Sequence, residues 1–584
     1  MHHVACSCSS MATTSVEFDG LPQLVCAVAD GLPELEPPEL DGAMLDGLPE
    51  LGRASPDLQS QHASPSLAEQ GDDDDDLPVL VGSPGGLSPK SSASLDASPG
   101  GLSPKASASP DSNTSDSESL SSDVECQDNA EEVTASEGSS DLQHSPMMPT
   151  SVTGVFSHMD WAWRRLRDKR PWGQICSNLS KGPIKHGSLC SGIDVSAMSW
   201  DGLGRACAQE VYPRIRCRLV KEVICEVHPK KFNLLMQMHP DVCHAYKDVL
   251  KLSKGPCWDY KMEAITDCSP DVLFAGFSCC DLSALTKQTR GFKRDRKGKL
   301  KSGPTFFAVA DCARRWRCRV LVLENVRGLL WRRSVDGFAP IEKVDEELRA
   351  AGFLGTHRMF NPEAYGIPQR RTRVYLLYYR AGSGDAEVAF DTARLLQARS
   401  PTLPAFLEAL SPTPVAKLSQ RHRRCVGWPS KHETFQTSHS LRPDVIAWAE
   451  SVLCGFTSGL LPREVSLLTK RYAYLKQVKD IDATTCTVVL QIDQELDRCP
   501  TGVGVVPCVA PKGAYWVTCG VRGAPRLLAV EEVAQLQSIG PQEMNFYGLH
   551  VVPARLLRDL VGNAFNGAVC NMMLLVALSS WQRA

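Results

Sequence analysis

The chain has 584 residues and a formal net charge of −4, yet residues 1–150 hold 27 acidic and three basic side chains while the rest holds 40 and 60. That length exceeds one compact domain and leaves enough chain for a large buried core. Its 23 cysteines include no Cys-x-x-Cys pair, which excludes a zinc ribbon or finger at ordinary ligand spacing, so no metal is expected.

In chain order, residues 1–155 read as an acidic, Ser/Pro-rich leader. Asp-Gly-Leu-Pro-x-Leu recurs at Asp19, Asp30 and Asp46, Ser-Pro-Gly-Gly-Leu-Ser-Pro-Lys recurs at Ser83 and Ser98, and Asp72–Asp76 is purely acidic. Such a composition buries too little apolar surface to offset chain entropy, so a disordered tail is expected. Its repeats suit a spacer or short docking motifs, and the sequence names no protein partner for them. No signal peptide opens the chain, and the apolar stretch Met572–Leu578 is too short to span a bilayer. No membrane partner is expected, and the thiols are read as reduced and intracellular. Trp161–Trp172 mixes aromatic and basic residues. It reads as the first helix of the folded body or as a nuclear-import or phosphate-binding segment.

From Lys185 onward, short apolar runs alternate with helical patterns. Strands are predicted at Gly187–Cys190, Glu222–Glu226, Asp271–Ala275, Val320–Glu324 and Val374–Tyr379. Helices are predicted between them at His228–Met238, Phe306–Trp316 and Ile341–Ala351. The alternation predicts an α/β, doubly wound sheet with crossover helices. Ligands of such sheets bind beyond the carboxyl ends of the strands.

Four chemically loaded segments fall at strand ends. In Ser188–Asp194, Cys190 and Gly192 form a small-residue turn where a backbone can approach a nucleotide-like ligand. Glu226 ends the second strand where an acidic residue can hold a ribose diol, and Asp248, in Lys-Asp-Val-Leu, is placed to contact an adenine edge. Taken alone, the turn is merely a turn and the carboxylates are surface groups. Gly276-Phe-Ser-Cys-Cys-Asp-Leu-Ser283 offers Cys279 and Cys280 as nucleophiles, or as structural thiols. The basic run of Lys287, Arg290, Lys293, Arg294, Arg296, Lys297, Lys299 and Lys301 behind it suits closure over a phosphate backbone. Val322–Val326 delivers Glu324 and Asn325, and a buried glutamate of raised pKa can hold and give a proton. Tyr365–Arg373 ends in a dense set of guanidinium donors.

These segments, in this order, resemble the cytosine carbon-5 methyltransferase family. The nucleophile motif stands as Gly276–Ser283, the Glu-Asn-Val motif as Glu324–Val326, and Gly-Ile-Pro-Gln-Arg-Arg-x-Arg as Gly366–Arg373. Further matches are Ser302–Phe307, Arg526–Gln537 and Val561–Phe565. The resemblance implies Cys279 as the nucleophile, Glu324 as the group facing the cytosine N3, and Arg371 and Arg373 as the arginines that order the site and hold the base. It assigns Cys190, Gly192, Glu226, Asp248, Asn563 and Ala564 to the pocket of the methyl donor, S-adenosyl-L-methionine. It also divides the chain into the leader, a catalytic domain at 156–389, a target-recognition region at 390–515, and a return at 516–584 that completes the catalytic domain. Arg421–Arg424 and Lys470–Lys479 would offer phosphate contacts in the recognition region.

Three positions depart from the family pattern: Ser278 for a proline, Cys280 for a glutamine, and Asp194 with Val195 for glycines of the cofactor turn. The implied reaction is methylation of a cytosine flipped out of double-stranded DNA, in the nucleus. RNA is the alternative substrate, as for a transfer-RNA methyltransferase of the same fold working in the cytoplasm. An inactive nucleic-acid-binding homologue is the alternative from another class. The retained Cys279 and Glu324 argue against the inactive homologue; the long leader and recognition segment argue for DNA.

Overall fold

The computed structural model describes residues 142–209, 217–283, 292, 301–332, 337–408, 427–511, 513–518 and 524–583. The leader repeats, the basic residues from Lys287 to Lys299 and Arg421–Arg424 lie outside the described residues.

The central sheet is built from β1 (Ile184–Leu189), β2 (Leu219–Cys225) and β3 (His244–Tyr246). After a hairpin of β4 (Cys257–Asp259) and β5 (Ala264–Thr266), it continues with β6 (Val272–Ala275), β7 (Val320–Val326), β8 (Phe353–Phe360) and β9 (Arg373–Arg380). The order is β3-β2-β1-β6-β7-β9-β8. Every predicted strand is found, and the predicted helices form at Pro229–Met238, Ser302–Arg315 and Pro340–Ala350. From β3 through β7 the strands run parallel. By contrast, β9 runs antiparallel to both β7 and β8. Its first residue therefore lies at the edge where the parallel strands end.

The strands are apolar on both faces because both are covered. Phe274, Val322, Leu377 and Tyr379 enter one core, while Leu273, Leu323, Leu376 and Tyr378 enter the other. Successive residues of a strand point to opposite faces, which makes the division. The first core is filled by the helix Gly567–Ser580, buried at every residue from Gly567 to Leu578. It packs on the helices Val155–Leu166, Arg170–Ser180, Val195–Gln209 and Ala386–Leu395. A helix apolar on all sides belongs in such a core, and among the described residues no single helix is long and apolar enough to cross a membrane. Trp161–Trp172 is helical at both ends, broken at Arg167–Lys169, with the Trp163 and Trp172 rings 4.4 Å apart. Ahead of it, Met148 and Val152 are buried against Ala398.

A separate core gathers Phe435, Leu467, Tyr472, Val488, Leu490 and Trp516. It lies between the helices Trp428–Ser438, Pro443–Leu453 and Pro462–Val478 and a small antiparallel sheet. That sheet comprises β10 (Val488–Gln491), β11 (Thr501–Val503), β12 (Tyr515–Val517) and β13 (Arg526–Leu527), in the order β11-β10-β12-β13. In the segment Lys470–Lys479, three of the cations meet protein partners. Lys470 Nζ donates to Gln436 Oε1 at 2.5 Å, Lys476 pairs with Asp482 at 2.9 Å, and Arg471 donates to the Leu496 carbonyl.

Candidate active site

The turn after β6 is held from three sides. Asn325 Nδ2, buried, donates to the Phe277 carbonyl at 2.9 Å. Thr305 Oγ1 accepts the Ser278 amide at 3.1 Å, and Ser302 Oγ accepts the Asp281 amide at 3.0 Å. Asp281 returns its carboxylate to the Lys301 and Ser302 amides at 2.6 and 2.7 Å. It thus caps the helix Ser302–Arg315 from another segment, where a negative charge meets unpaired amides. The Cys279 carbonyl accepts the amides of Leu282 and Ser283, both at 2.9 Å. With its backbone so fixed, Cys279 remains exposed. Partial burial raises its thiol pKa, as do the charges of Glu324 and Cys280, against the lowering influence of Arg373 and Arg371.

Glu324 leaves β7 toward this turn: a Cβ placed on Gly276 would lie 3.8 Å from its Oε2. Burial raises its pKa, opposed by the charges of Arg373 and Arg371. Arg373 Nε stands 3.2 Å from Glu324 Oε1, and Nη2 donates to the Cys508 sulfur at 3.3 Å. Arg371, buried, is a strut. It donates to the carbonyls of Val509 at 2.7 Å, Gly562 at 3.3 Å and Ala564 at 2.9 Å, and to Cys508 Sγ at 3.6 Å. Of the arginine pair, then, Arg373 faces the glutamate, and Arg371 binds three chain segments together behind it.

Of the residues expected in the methyl-donor pocket, Cys190, Gly192, Glu226 and Asp248 gather at the ends of β1, β2 and β3. Gly192 adopts φ +60, and the space a Cβ would occupy there is open for 4 Å. Glu226 accepts the amides of Gly192 and His228, both at 2.9 Å. Cys190 lies close by: burial lifts its thiol to about 12, with help from the charges of Glu226 and Asp248, so it is a neutral wall. Asp248 caps the short helix Val249–Leu252 through the Leu250 amide at 2.9 Å. The opposite side is joined by Lys231, which follows β2 and pairs with Asp559 at 2.8 Å. Asp559 is on the helix Ala554–Asn563, whose Asn563 turns its amide back to the Asp559 carbonyl at 2.8 Å. Ala564 gives its carbonyl to Arg371.

Asp194 occupies a glycine position of the turn at φ +52, a region aspartate tolerates better than most residues. Its carboxylate caps Ser196 Oγ at 2.7 Å and the Ala197 amide at 3.1 Å. It points into the fold, away from the open space beside Gly192.

Three participants were not singled out from sequence. Phe565 packs its ring on Gly276. Val227, 72% exposed, offers an apolar face beside Glu226. Cys508 contacts both arginines from a segment, Pro507–Pro511, that carries no motif. Phe565 stands in a motif whose neighbours were assigned, so its place was within reach; nothing in the residues around Cys508 marks it. Among the described residues no group of three or more His, Cys, Asp or Glu side chains is placed to hold a metal ion.

The arrangement thus sets a thiol, a carboxyl group of raised pKa and a guanidinium at one strand edge, beside a turn open to a ligand. A family model described as C-5 cytosine-specific DNA methylase matches residues 230–574. DNA (cytosine-5-)-methyltransferase DMT5 of Cryptococcus neoformans is 24% identical over 442 residues, 69% of this chain and 17% of that protein. Type II methyltransferase M.NgoBV of Neisseria gonorrhoeae is 30% identical over 216 residues, 36% of this chain and 44% of its own length. The chain therefore spans less than half the length of these relatives. Among solved structures, the Dnmt2 methyltransferase of S. pombe aligns with 68% of this chain and 98% of its own, at 12% identity and a TM-score of 0.34.

Proposed function

The chain belongs to the C-5 cytosine-specific DNA methylase family, and on that footing we propose that it methylates carbon 5 of a cytosine flipped out of double-stranded DNA, with Cys279 as covalent nucleophile. The observation that carries the reading is the meeting of Cys279, Glu324 and Arg373 at one sheet edge. A base must leave the duplex to reach such an edge.

Cys279 gives up its proton to solvent and its sulfur adds to carbon 6 of the ring. Negative charge then builds toward N3, where Glu324 donates its proton; burial raises its pKa and so favours the protonated form. Arg373 keeps the glutamate oriented through its 3.2 Å contact. S-adenosyl-L-methionine, when bound, supplies the methyl group. Gly192, Glu226, Asp248 and Asn563, with Cys190 and Ala564 as walls, would hold it: the open side of Gly192 and the exposed Val227 leave room for a flat heterocycle. Loss of the carbon 5 proton and expulsion of the Cys279 sulfur complete the turnover.

The test is to incubate the full chain with labelled S-adenosyl-L-methionine and a duplex carrying 5-fluorocytosine, where fluorine blocks the final proton loss. A gel-stable adduct lost in Cys279→Ser and kept in Cys280→Ser is expected. An adduct formed only with fluorinated RNA would transfer the activity to RNA. No adduct on either would leave a nucleic-acid-binding protein without this chemistry.

A further inference from the structure

Two cations and one carboxylate occupy the wall of the site. Arg373 meets Glu324, the Cys508 sulfur and the Thr372 carbonyl, and the other side-chain contacts of Arg371 are main-chain carbonyls. With Glu324 protonated, neither guanidinium meets an anionic carboxylate, and a negative group is needed beside the pair in a region where burial makes unpaired charge costly. Cys508 Sγ is the atom both arginines reach, at 3.3 and 3.6 Å.

We propose that Cys508 is a positioning residue, an anionic sulfur that takes up part of Arg373 and so leaves Glu324 able to keep its proton. The inference rests on the reading of Glu324 as the proton donor. Burial alone would raise the Cys508 thiol; the charges of Arg373 and Arg371 outweigh it and hold the thiol below its ordinary value. The groups around the sulfur come from four elements. Arg371 and Arg373 lie at the start of β9, Glu324 at the end of β7, Cys279 beyond β6, and Tyr515 in β12. The Tyr515 hydroxyl donates to the Cys508 carbonyl at 3.2 Å, and Asp493 accepts the neighbouring Ala514 amide at 2.8 Å. None of these but the two guanidinium groups donates to the sulfur.

With the sulfur gone, Arg373 pairs with Glu324 alone and stabilises its ionised form. Each unit by which the glutamate pKa falls removes about tenfold of the protonated fraction above it. In Cys508→Ala and Cys508→Ser, the adduct-forming rate near pH 7.5 is expected to fall about tenfold. The lower apparent pKa of the pH–rate profile moves down with it, and the KM for S-adenosyl-L-methionine is unchanged. Cys508→Asp, which restores a negative charge, recovers the wild-type profile. A serine variant with the wild-type profile would overturn the proposal.

A second measurement needs neither substrate nor a variant that folds. The folded wild-type chain is alkylated with iodoacetamide across pH and each cysteine is followed by peptide mass. Cys508 should reach half-maximal alkylation at lower pH than Cys279; the reverse order overturns the proposal. If that order is found but no adduct forms on any nucleic acid, the functional reading fails and the anionic sulfur stands. If adducts form and the serine profile does not move, the inference alone fails.

Discussion

A Cβ added to Gly276 would stand 2.8 Å from Cε1 of Phe565, so the ring of the closing segment and the backbone leading to Cys279 share a contact that only glycine permits. Gly276→Ala must displace either the ring or the turn. Overpacking of this kind costs about 1–3 kcal/mol. The expected outcome is a matching loss in urea unfolding and a slower single turnover. Phe565→Leu in the same chain should restore part of both, because residues in contact couple. Strict additivity of the two changes would refute the contact as the cause.

Arg371 holds two segments that are remote from it in sequence, through the carbonyl of Val509 in one and those of Gly562 and Ala564 in the other. Arg371→Lys keeps the charge and loses the fork. Hydrogen bonds from a charged donor contribute roughly 1.5–3 kcal/mol each in favourable cases, so a loss of at least about 2 kcal/mol is expected. Proteolysis within 508–511 and 562–565 should quicken in the same variant. A lysine variant with wild-type unfolding and proteolysis would show that the strut is dispensable.

His158 is buried, its Nε2 beside the Tyr365 carbonyl at 3.3 Å and its Nδ1 beside Asn571 at 3.4 Å. Burial lowers its pKa from 6.5 to about 4, the Tyr365 carbonyl opposing. The folded state therefore binds fewer protons than the unfolded chain between those values, and stability falls as pH falls through that window. It is fully present above about 6.5, and the linkage contributes on the order of 3 kcal/mol by pH 4. Urea unfolding at pH 7.5 and 5.0 measures it. His158→Gln should lose less stability between the two than the wild type does; an equal loss would assign the pH dependence elsewhere.

The sheet was legible because strands buried on both faces read as continuous apolar runs, as at Val320–Leu323 and Val374–Tyr379. Direction was not legible. Nothing in Arg373–Arg380 distinguishes an antiparallel insertion from another parallel strand, since a fully covered strand looks the same either way. The turn that carries Cys279 and the Glu-Asn pair were legible because their residue types carry chemistry. The partners that fix them, Thr305, Ser302 and Asp281, stand in matched segments, but their residue types do not say which amides they hold. A core boundary was expected near 390, yet Phe390, Leu403 and Phe406 pack into the first core, because a helical apolar pattern does not say which of two cores it enters. Cys508 is one of 23 cysteines and stands in no motif; its neighbours come from residues 135 and 137 positions away, which no local pattern encodes.

The helix Gly567–Ser580 sits inside the body, gripped by helices from residues 155–166, 170–180, 195–209 and 386–395. During synthesis, those four helices leave the ribosome long before their common filling is made, and an apolar channel stays open to water and to other nascent chains. Closure must then bring together stretches some four hundred residues apart, a contact pattern that makes folding slow. The body can therefore not close in instalments: a ribosome halted anywhere before residue 567 releases a chain whose exposed interior is a target for chaperones and proteases.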